Sequence, residues 1–286
     1  MTRKGTLYIV ATPLGNLGDI SQRAVDTLRA VDVIAAEDTR HSSRLMQHLG
    51  VATPMVALHD FNERERTESL LRRLEQGQKI ALISDAGTPL ISDPGFILVR
   101  EVRAQGYEVV PVPGASAVIA ALSASGLPTD RFIFEGFLPA KAKHRLERLQ
   151  ALRDETRTLV FYEAPHRILE TVTAMMEVFG REREAVIARE LTKTFETIHG
   201  APLADLLDWM MADPNQQRGE FVVLVAGATP AEEGEGAALD VDALLLALLD
   251  ELPVKKAAAI VAQVTGLKKN DLYKRALEMK GGASAD

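Results

Sequence analysis

Short β-branched runs alternate with longer stretches of helical periodicity through residues 6–112, the pattern of βαβ units around a mainly parallel sheet. Strands are predicted over Thr6–Ala11, Val33–Ala36, Met55–Leu58, Lys79–Ser84 and Glu108–Val112. Between the first two, Ile20, Ala24, Leu28 and Val31 recur at helical spacing with Ser21 near the start, which predicts a helix over 20–31. A second helix is predicted over 42–49, closed by Gly50. A third covers 62–76, opened by the box Asn62-x-x-Glu65 and closed by Gly77. Asp93-Pro94 reads as an N-cap followed by proline at the first helical position, so 95–105 should be helix, stopped by Gly106.

Turn residues gather at Leu127-Pro128-Thr129-Asp130, which bounds an N-terminal parallel α/β domain over 1–127. Beyond it, strand patterns at 132–137, 158–162, 184–189, 194–199 and 221–226, with helices at 144–152, 165–179 and 203–211, predict a mixed α/β domain over 128–228. An acidic linker, 229–239, precedes purely helical patterns at 241–249, 254–264 and 270–279. A short turn through Gly266 joins the last two as in a helix-turn-helix, so 240–286 is expected to be a small helical appendage.

Hydrophobic residues make up 47% and charged residues 26% of the 286, ordinary usage that excludes wholesale disorder or a fibrous coil. The absence of cysteine removes disulfides, thiolate nucleophiles and cysteine metal sites, and fits a reducing cytoplasm. Arg3 and Lys4 precede only a four-residue apolar run, far short of a signal peptide's apolar region. No stretch approaches the ~20 apolar residues of a membrane span, so a cytoplasmic protein with no membrane partner is expected.

The 33 basic and 40 acidic residues leave a net charge of −7, which taken alone argues against nucleic acid. The excess is local. Seven acidic and no basic residues lie between Ala228 and Leu252, whereas 255–280 carries seven Lys or Arg against Asp271 and Glu278. Whole-chain charge therefore hides a basic C-terminal segment.

No strand runs into G-x-G-x-x-G, and the P-loop, H-E-x-x-H and G-x-S-x-G patterns are missing. The six histidines show no metal-ligand spacing, so no metal is expected. What is present is Ser84–Gly95, a small-residue loop after the carboxyl end of a buried parallel strand, where open α/β sheets bind ligands. Glycine there allows close backbone approach, and a helix N-terminus capped by Asp93 would offer free amides. Plainer readings are a strand-to-helix connection with two capping turns, or a weak magnesium site from Asp85 and Asp93. Ala11–Leu17 and Val112–Ala117 are similarly punctuated by glycine and proline, and three such loops on one sheet edge make one crevice.

Six segments together carry a resemblance: Thr12-Pro13-Leu14-Gly15-Asn16-Leu17, Ala36–Arg40, Ser84–Gly95, Pro113–Ala117, Phe161–Arg167 and Ala188–Lys193. The set resembles the tetrapyrrole-methylase-like S-adenosylmethionine methyltransferases, and within them the members that act on small-subunit ribosomal RNA. The likeness runs from about Thr6 to the C-terminus. It implies an α/β, two-domain fold (class III among such methyltransferases) with a small helical appendage, and S-adenosylmethionine folded into the cleft between domains. The missing G-x-G-x-x-G is then no objection. Carried over by motif, Pro13 and Gly15 line the floor, and Asp85, Ala86, Gly87 and Leu90 take the methionine or ribose part. Ser116 and Ala117 lie beside them, while Tyr162 and Leu191 cover the adenine. The implied reaction is 2′-O-methylation of a cytidine in the decoding region of 16S ribosomal RNA, on the assembled 30S subunit, by a homodimer. Rival readings are a tetrapyrrole or diphthamide-precursor methylase of the same fold, and a non-catalytic ribosome assembly factor that holds S-adenosylmethionine as a structural ligand.

Methyl transfer from a sulfonium leaves a neutral thioether, so alignment should supply most of the acceleration. The hydroxyl must still shed its proton, and Lys193, Glu190, Glu163 and Glu37 in the cleft-edge motifs are candidates. Lys193 is favoured, as a base if burial lowers its pKa or as a cation beside a developing alkoxide. A strand-edge salt bridge is the plainer role for Lys193 and Arg189, and helix capping with an ion pair for Glu37, Asp38 and Arg40. RNA holding is assigned to Arg40, to Lys141, Lys143 and Arg145 beside His144 and Arg148, and to Lys255, Lys256, Lys268, Lys269 and Lys274 beside Arg275. A solvated helix face is the alternative for each cluster.

Overall fold

The structure, a computed structural model, describes residues 5–229 and 241–282, with side chains as far as Met279. Two compact units result, Met1–Ala228 and Thr229–Asp286. Arg3, Lys4 and the acidic linker from residue 230 on lie outside the described residues.

The first five strands are β1 (Thr6–Val10), β2 (Val33–Ala36), β3 (Met55–Ala57), β4 (Lys79–Ile83) and β5 (Glu108–Val112). They form one parallel sheet in the order β3-β2-β4-β1-β5. Helices α1 (Gln22–Ala30) and α2 (Thr39–Leu49) pack on one face, and α3 (Glu63–Glu75) and α4 (Phe96–Ala104) on the other. Side chains alternate across a strand, so on β4 Ala81 and Ile83 join the α1/α2 core while Ile80 and Leu82 join the α3/α4 core. A strand buried on both faces reads as an unbroken apolar run, as β2 and β4 do.

The local signals are met unevenly. Helix α2 begins three residues earlier than the spacing predicts, because Asp38 caps it by accepting from the Arg40 amide at 2.8 Å. The box at the start of α3 does not form, since Asn62 spends its side chain on the turn before it. Nor does Asp93 cap α4. The N-cap is Gly95, and Oε1 of the buried Glu63 accepts from the amides of Gly95, Ile97 and Leu98 at 3.1, 2.8 and 3.4 Å. A carboxylate from a neighbouring helix thus occupies the positive end of α4 and takes three of the amides there.

After β5 the chain enters a helix the strand patterning does not reveal, α5 (Ala117–Ser125), whose Val118, Ala121 and Leu122 pack on the second sheet. By packing, the change from one sheet to the other therefore precedes α5, ahead of the turn at residue 127. The second sheet comprises β6 (Phe132–Phe137), β7 (Thr158–Glu163), β8 (Glu184–Arg189), β9 (Thr197–Pro202) and β10 (Phe221–Val225), ordered β6-β7-β10-β8-β9. Only β6 and β7 run parallel in it. Its outer face carries α6 (Ala142–Ala151), α7 (Ile168–Phe179) and α8 (Leu203–Ala212). Phe221, Val223 and Val225 of β10 face that layer, while Val222 and Leu224 face α5. Strand β9 starts at Thr197 instead of 194 because the preceding loop is claimed by Arg189, which donates to the Phe195 carbonyl and the Thr197 hydroxyl at 3.0 and 3.1 Å.

The second unit holds α9 (Val241–Glu251), α10 (Val254–Thr265) and α11 (Lys269–Gly282) around Leu245, Ala258, Val261, Leu272 and Ala276. Gly266 ends α10 at φ 72°, the left-handed stop expected between the last two helices.

Candidate active site

The loops after β1, β4 and β5 meet at the carboxyl edge of the first sheet. Thr12 and Gly87 exchange both backbone hydrogen bonds, at 2.8 and 3.0 Å, and the buried Thr12 hydroxyl donates to the Ser84 carbonyl at 3.1 Å. Thr88 ties in the third loop by donating to the Ala115 carbonyl at 3.0 Å. Together these loops form one wall of a crevice of about 320 Å³, within the range of small-molecule sites. Leu14, Asp85, Ala86, Gly87, Ser116 and Ala117 line that wall, and Phe137, Tyr162, Ala164, Pro165 and Leu191 the opposite one.

The sequence-derived floor needs adjustment. Pro13 and Gly15 do not line the crevice; Leu14, between them, does. Leu90 turns its side chain into the core under α3 and α4, leaving Ile91, Ser92 and Asp93 as the lining residues. Phe137, the β10 residues Phe221 and Val222, and Glu220 just before β10 were not foreseen, because the ends of these strands carry no motif of their own.

Among the described residues only four non-glycines have positive φ: Leu90 at 72°, Ser92 at 69°, Glu190 at 53° and Thr192 at 66°. All four sit in two loops, 84–95 and 190–196, that line the crevice. Each costs on the order of 1–3 kcal/mol and persists only where the surroundings over-determine it, as at ligand clamps. The surroundings here include two close approaches between the walls. The Lys193 stem lies against Gly15, where a Cβ would meet its Cγ at 2.3 Å. Ser92 Oγ lies against Gly136, where a Cβ would stand 3.1 Å away. Gly15 thus serves as a seat for Lys193 from across the crevice.

The electrostatics of the edge are acidic and unbalanced. Glu37 follows β2 beside Ser84, and the backbone amide of Asp38 donates to Asp85 at 3.2 Å. Burial, reinforced by Asp93, Asp85, Asp60 and Asp38, pushes the Glu37 carboxyl up to about 7, and no hydrogen bond or ion pair among the described residues engages it. Burial likewise raises Asp93 to about 6, with Asp85 and Asp60 adding to the rise and a hydrogen bond from Ser84 opposing it. Tyr162 is pushed to about 12, chiefly by burial and then by Asp93, and its ring meets Phe134 and Phe137 edge-on at 5.0 and 5.6 Å. A crevice with an aromatic, apolar wall facing unpaired carboxylates fits a ligand that combines a flat heterocycle with positive charge, as S-adenosylmethionine does. Asp85 and Asp93 would face the sulfonium and ammonium end. The amino end of α5, on which Ser116 places no side-chain bond, is available to its carboxylate.

The other proposed bases are otherwise engaged. Lys193 Nζ donates to Glu190 at 2.9 Å and Glu220 at 3.0 Å. Burial would depress its pKa, but these carboxylates outweigh that and hold it above the ordinary lysine value, which leaves Lys193 the second of its two expected roles, a cation. Glu190 also accepts from the Glu220 amide at 2.9 Å, and despite its burial these donors keep it below the usual carboxylate range. Glu163 is buried, accepting from the Ala164 amide, the Arg167 guanidinium and Thr171 Oγ1 at 2.8, 2.9 and 2.6 Å. Its lone pairs fasten the start of α7. Of the four candidates, only Glu37 has a carboxylate free to take a proton.

Residues 6–207 match the family described as Tetrapyrrole (Corrin/Porphyrin) Methylases, and residues 235–280 match the RsmI C-terminal HTH domain. A Pseudomonas aeruginosa protein named ribosomal RNA small subunit methyltransferase I is 61% identical over 277 residues, covering 97% of this chain and 98% of that one. The chain belongs to the ribosomal RNA small subunit methyltransferase I family. An Escherichia coli O157:H7 member is 56% identical over 280 residues, 97% of this chain and 96% of that one. The fold extends further: uroporphyrin-III C-methyltransferase from Thermus thermophilus, solved with S-adenyl homocysteine, superposes with a TM-score of 0.54 at 18% identity, over 78% of this chain and 97% of that one. The α/β fold with a helical appendage, expected from the six segments, is the fold of this family.

Ribosomal RNA small subunit methyltransferase I family membership gives the surface cations their interest. Lys141 and Lys143 are exposed at the start of α6, and Arg40 is 92% exposed beside Asp38. Lys255, Lys256, Lys268, Lys269 and Lys274 are exposed on the second unit, whereas Arg275 pairs with Asp242 at 2.6 Å. Arg145 must be withdrawn from the RNA-facing set: its side chain is 5% exposed and donates to Glu170 at 3.0 Å. Its helical phase turns it toward α7, so a motif-level count of cations overstates that cluster. Arg148, bound to Glu135 at 2.7 and 2.8 Å, is likewise spoken for. Among the described residues no three His, Asp or Glu side chains are arranged to hold a metal, and no helix is long and apolar enough to cross a membrane.

Proposed function

We propose that this protein uses S-adenosylmethionine to methylate the ribose 2′-hydroxyl of a cytidine in the decoding region of 16S ribosomal RNA, acting on the assembled 30S subunit as a homodimer. Membership in the ribosomal RNA small subunit methyltransferase I family supports the RNA methyl transfer; the cytidine, its 2′-oxygen and the particle rest on the resemblance set out from the six segments. A particle substrate also suits a net charge of −7, which gives little long-range attraction for free RNA.

The observation that carries the chemistry is the half-buried Glu37 carboxyl at about 7, which is not itself a lining residue of the crevice but follows β2 next to the loop that bears the lining carboxylates Asp85 and Asp93. S-adenosylmethionine supplies an activated methyl group on a sulfonium that leaves as a neutral thioether. The crevice would align donor and hydroxyl, with Asp85 and Asp93 the lining residues that would hold the donor's positive charge. Glu37 accepts the hydroxyl proton as the oxygen takes the methyl group, a transfer matched to neutral pH because its pKa is near the operating value. Lys193, fixed on Gly15 by Glu190 and Glu220, orients the loop that carries Leu191.

The test is transfer of labelled methyl from S-adenosylmethionine to 30S subunits purified without this modification, followed by nucleoside analysis. Label in 2′-O-methylcytidine is the expected result. Label elsewhere in the RNA rejects the acceptor, and cofactor binding without label sends the function to tetrapyrrole acceptors or to a non-catalytic assembly role.

A further inference from the structure

Phe61 is 99% exposed and Phe96 63% exposed. Single exposed apolar side chains are ordinary, but these two are carried on segments tied to each other by hydrogen bonds. Asn62 Oδ1 accepts from the His59 amide at 2.9 Å and its Nδ2 donates to the Ala57 carbonyl at 3.3 Å, so a cross-tied turn displays Phe61. The next residue, Glu63, takes the amides of Gly95, Ile97 and Leu98, which pins the start of α4, and with it Phe96, to the same turn. The Arg100 guanidinium, which donates to Glu101 at 3.2 and 3.0 Å, lies 5.5 Å from the centre of the Phe96 ring and is held there by that pair.

The pair stands next to the chemistry. The Leu58 amide donates to the Ala36 carbonyl at 2.8 Å, so the turn departs from beside Glu37, and three residues reach at most about 10 Å. Phe96 is three residues from Asp93 in the crevice wall. Unpaired RNA bases are held by stacking on aromatic rings and guanidinium planes. Resting on the RNA methyltransferase reading above, we propose that Phe61 and Phe96, with Arg100, form a stacking platform for an unpaired base adjacent to the acceptor nucleotide. A second copy of the chain is the competing occupant. A dimer contact, however, needs about 800 Å² on each partner with an apolar centre, and here Asp60, Arg64 and Arg100, all exposed, interrupt the apolar surface.

The experiment compares wild-type protein, Phe61→Ala, Phe96→Ala and Phe61→Trp in binding to unmodified 30S subunits and in methyl transfer to them, with sedimentation and S-adenosylmethionine affinity measured alongside. Each alanine variant is expected to raise the Kd and KM for subunits about tenfold, in line with alanine truncation of a base-stacking ring, with kcat within about twofold and cofactor affinity unchanged. Phe61→Trp should restore the wild-type values. Unchanged Kd and KM overturn the platform, as does a shift in sedimentation with RNA affinity intact, which would assign the rings to a second copy. Wild-type protein that binds subunits but transfers no methyl refutes the catalytic reading while the Kd comparison still decides the platform.

Discussion

Replacing Glu37 by glutamine tests the proton transfer directly, because the amide keeps the shape and loses the acceptor. With the carboxyl at about 7, roughly half of the wild-type protein is competent at neutral pH and on the order of one part in a hundred at pH 5. The expected kcat/KM therefore falls about tenfold per pH unit below 7 and levels off above about 8. Glu37→Gln should lower kcat by roughly 10²–10⁴ and flatten the profile, with S-adenosylmethionine affinity little changed. The stability linkage has the opposite slope. A carboxyl raised from 4.5 to about 7 on folding favours the native state below 4.5, and that contribution is lost as pH climbs to about 7. Between those values wild-type activity rises while the Glu37 contribution to stability falls, and Glu37→Gln should remove both slopes. Measuring methyl transfer and urea midpoints on the same samples separates catalysis from unfolding. A wild-type profile flat from pH 5 to 8, or a Glu37→Gln enzyme within a few fold of wild type, would refute Glu37 as the base.

Lys193→Met keeps an apolar stem on Gly15 but removes the ion pairs; activity should fall only modestly and its pH midpoint should stay near 7, whereas loss of that midpoint would return the base to Lys193. Glu63→Gln removes the charge from three amides at the start of α4 and should cost about 1–3 kcal/mol in denaturant unfolding, while an unchanged midpoint would show that those amides need no carboxylate. Lys268→Ala combined with Lys269→Ala should reduce the salt dependence of subunit binding by about one to two units of logarithmic slope. Arg145→Met should lower thermal stability and leave that slope unchanged; a smaller slope would restore Arg145 to the RNA-facing set.

Periodicity and turn chemistry made the first sheet legible, since its signals are local: an apolar run, a helical phase, a glycine stop. Helix α5 escaped because Ala117–Ser125 is apolar nearly all round, with neither an alternating strand face nor a polar helix face to give it a period. The loops of the crevice were legible as places and less so as side chains. Asp93 sits where a cap residue belongs, yet the α4 amides go to Glu63, 30 positions earlier in the chain, and that leaves Asp93 free to charge the crevice. For Lys193 the sequence left base and cation open, because burial alone would lower a lysine pKa; Glu190 and Glu220 reverse that shift, and the Glu220 partnership depends on β8 pairing with β10. By the same logic Glu37 is the candidate left without a donor. Its neighbours Asp38, Asp60, Asp85 and Asp93 come from the ends of three adjacent strands, and no cation from any of them reaches it. A carboxylate's fate here is set by whether a donor arrives from another element, so the six motifs could mark the crevice while only the assembled sheet edge could choose among the acids within it.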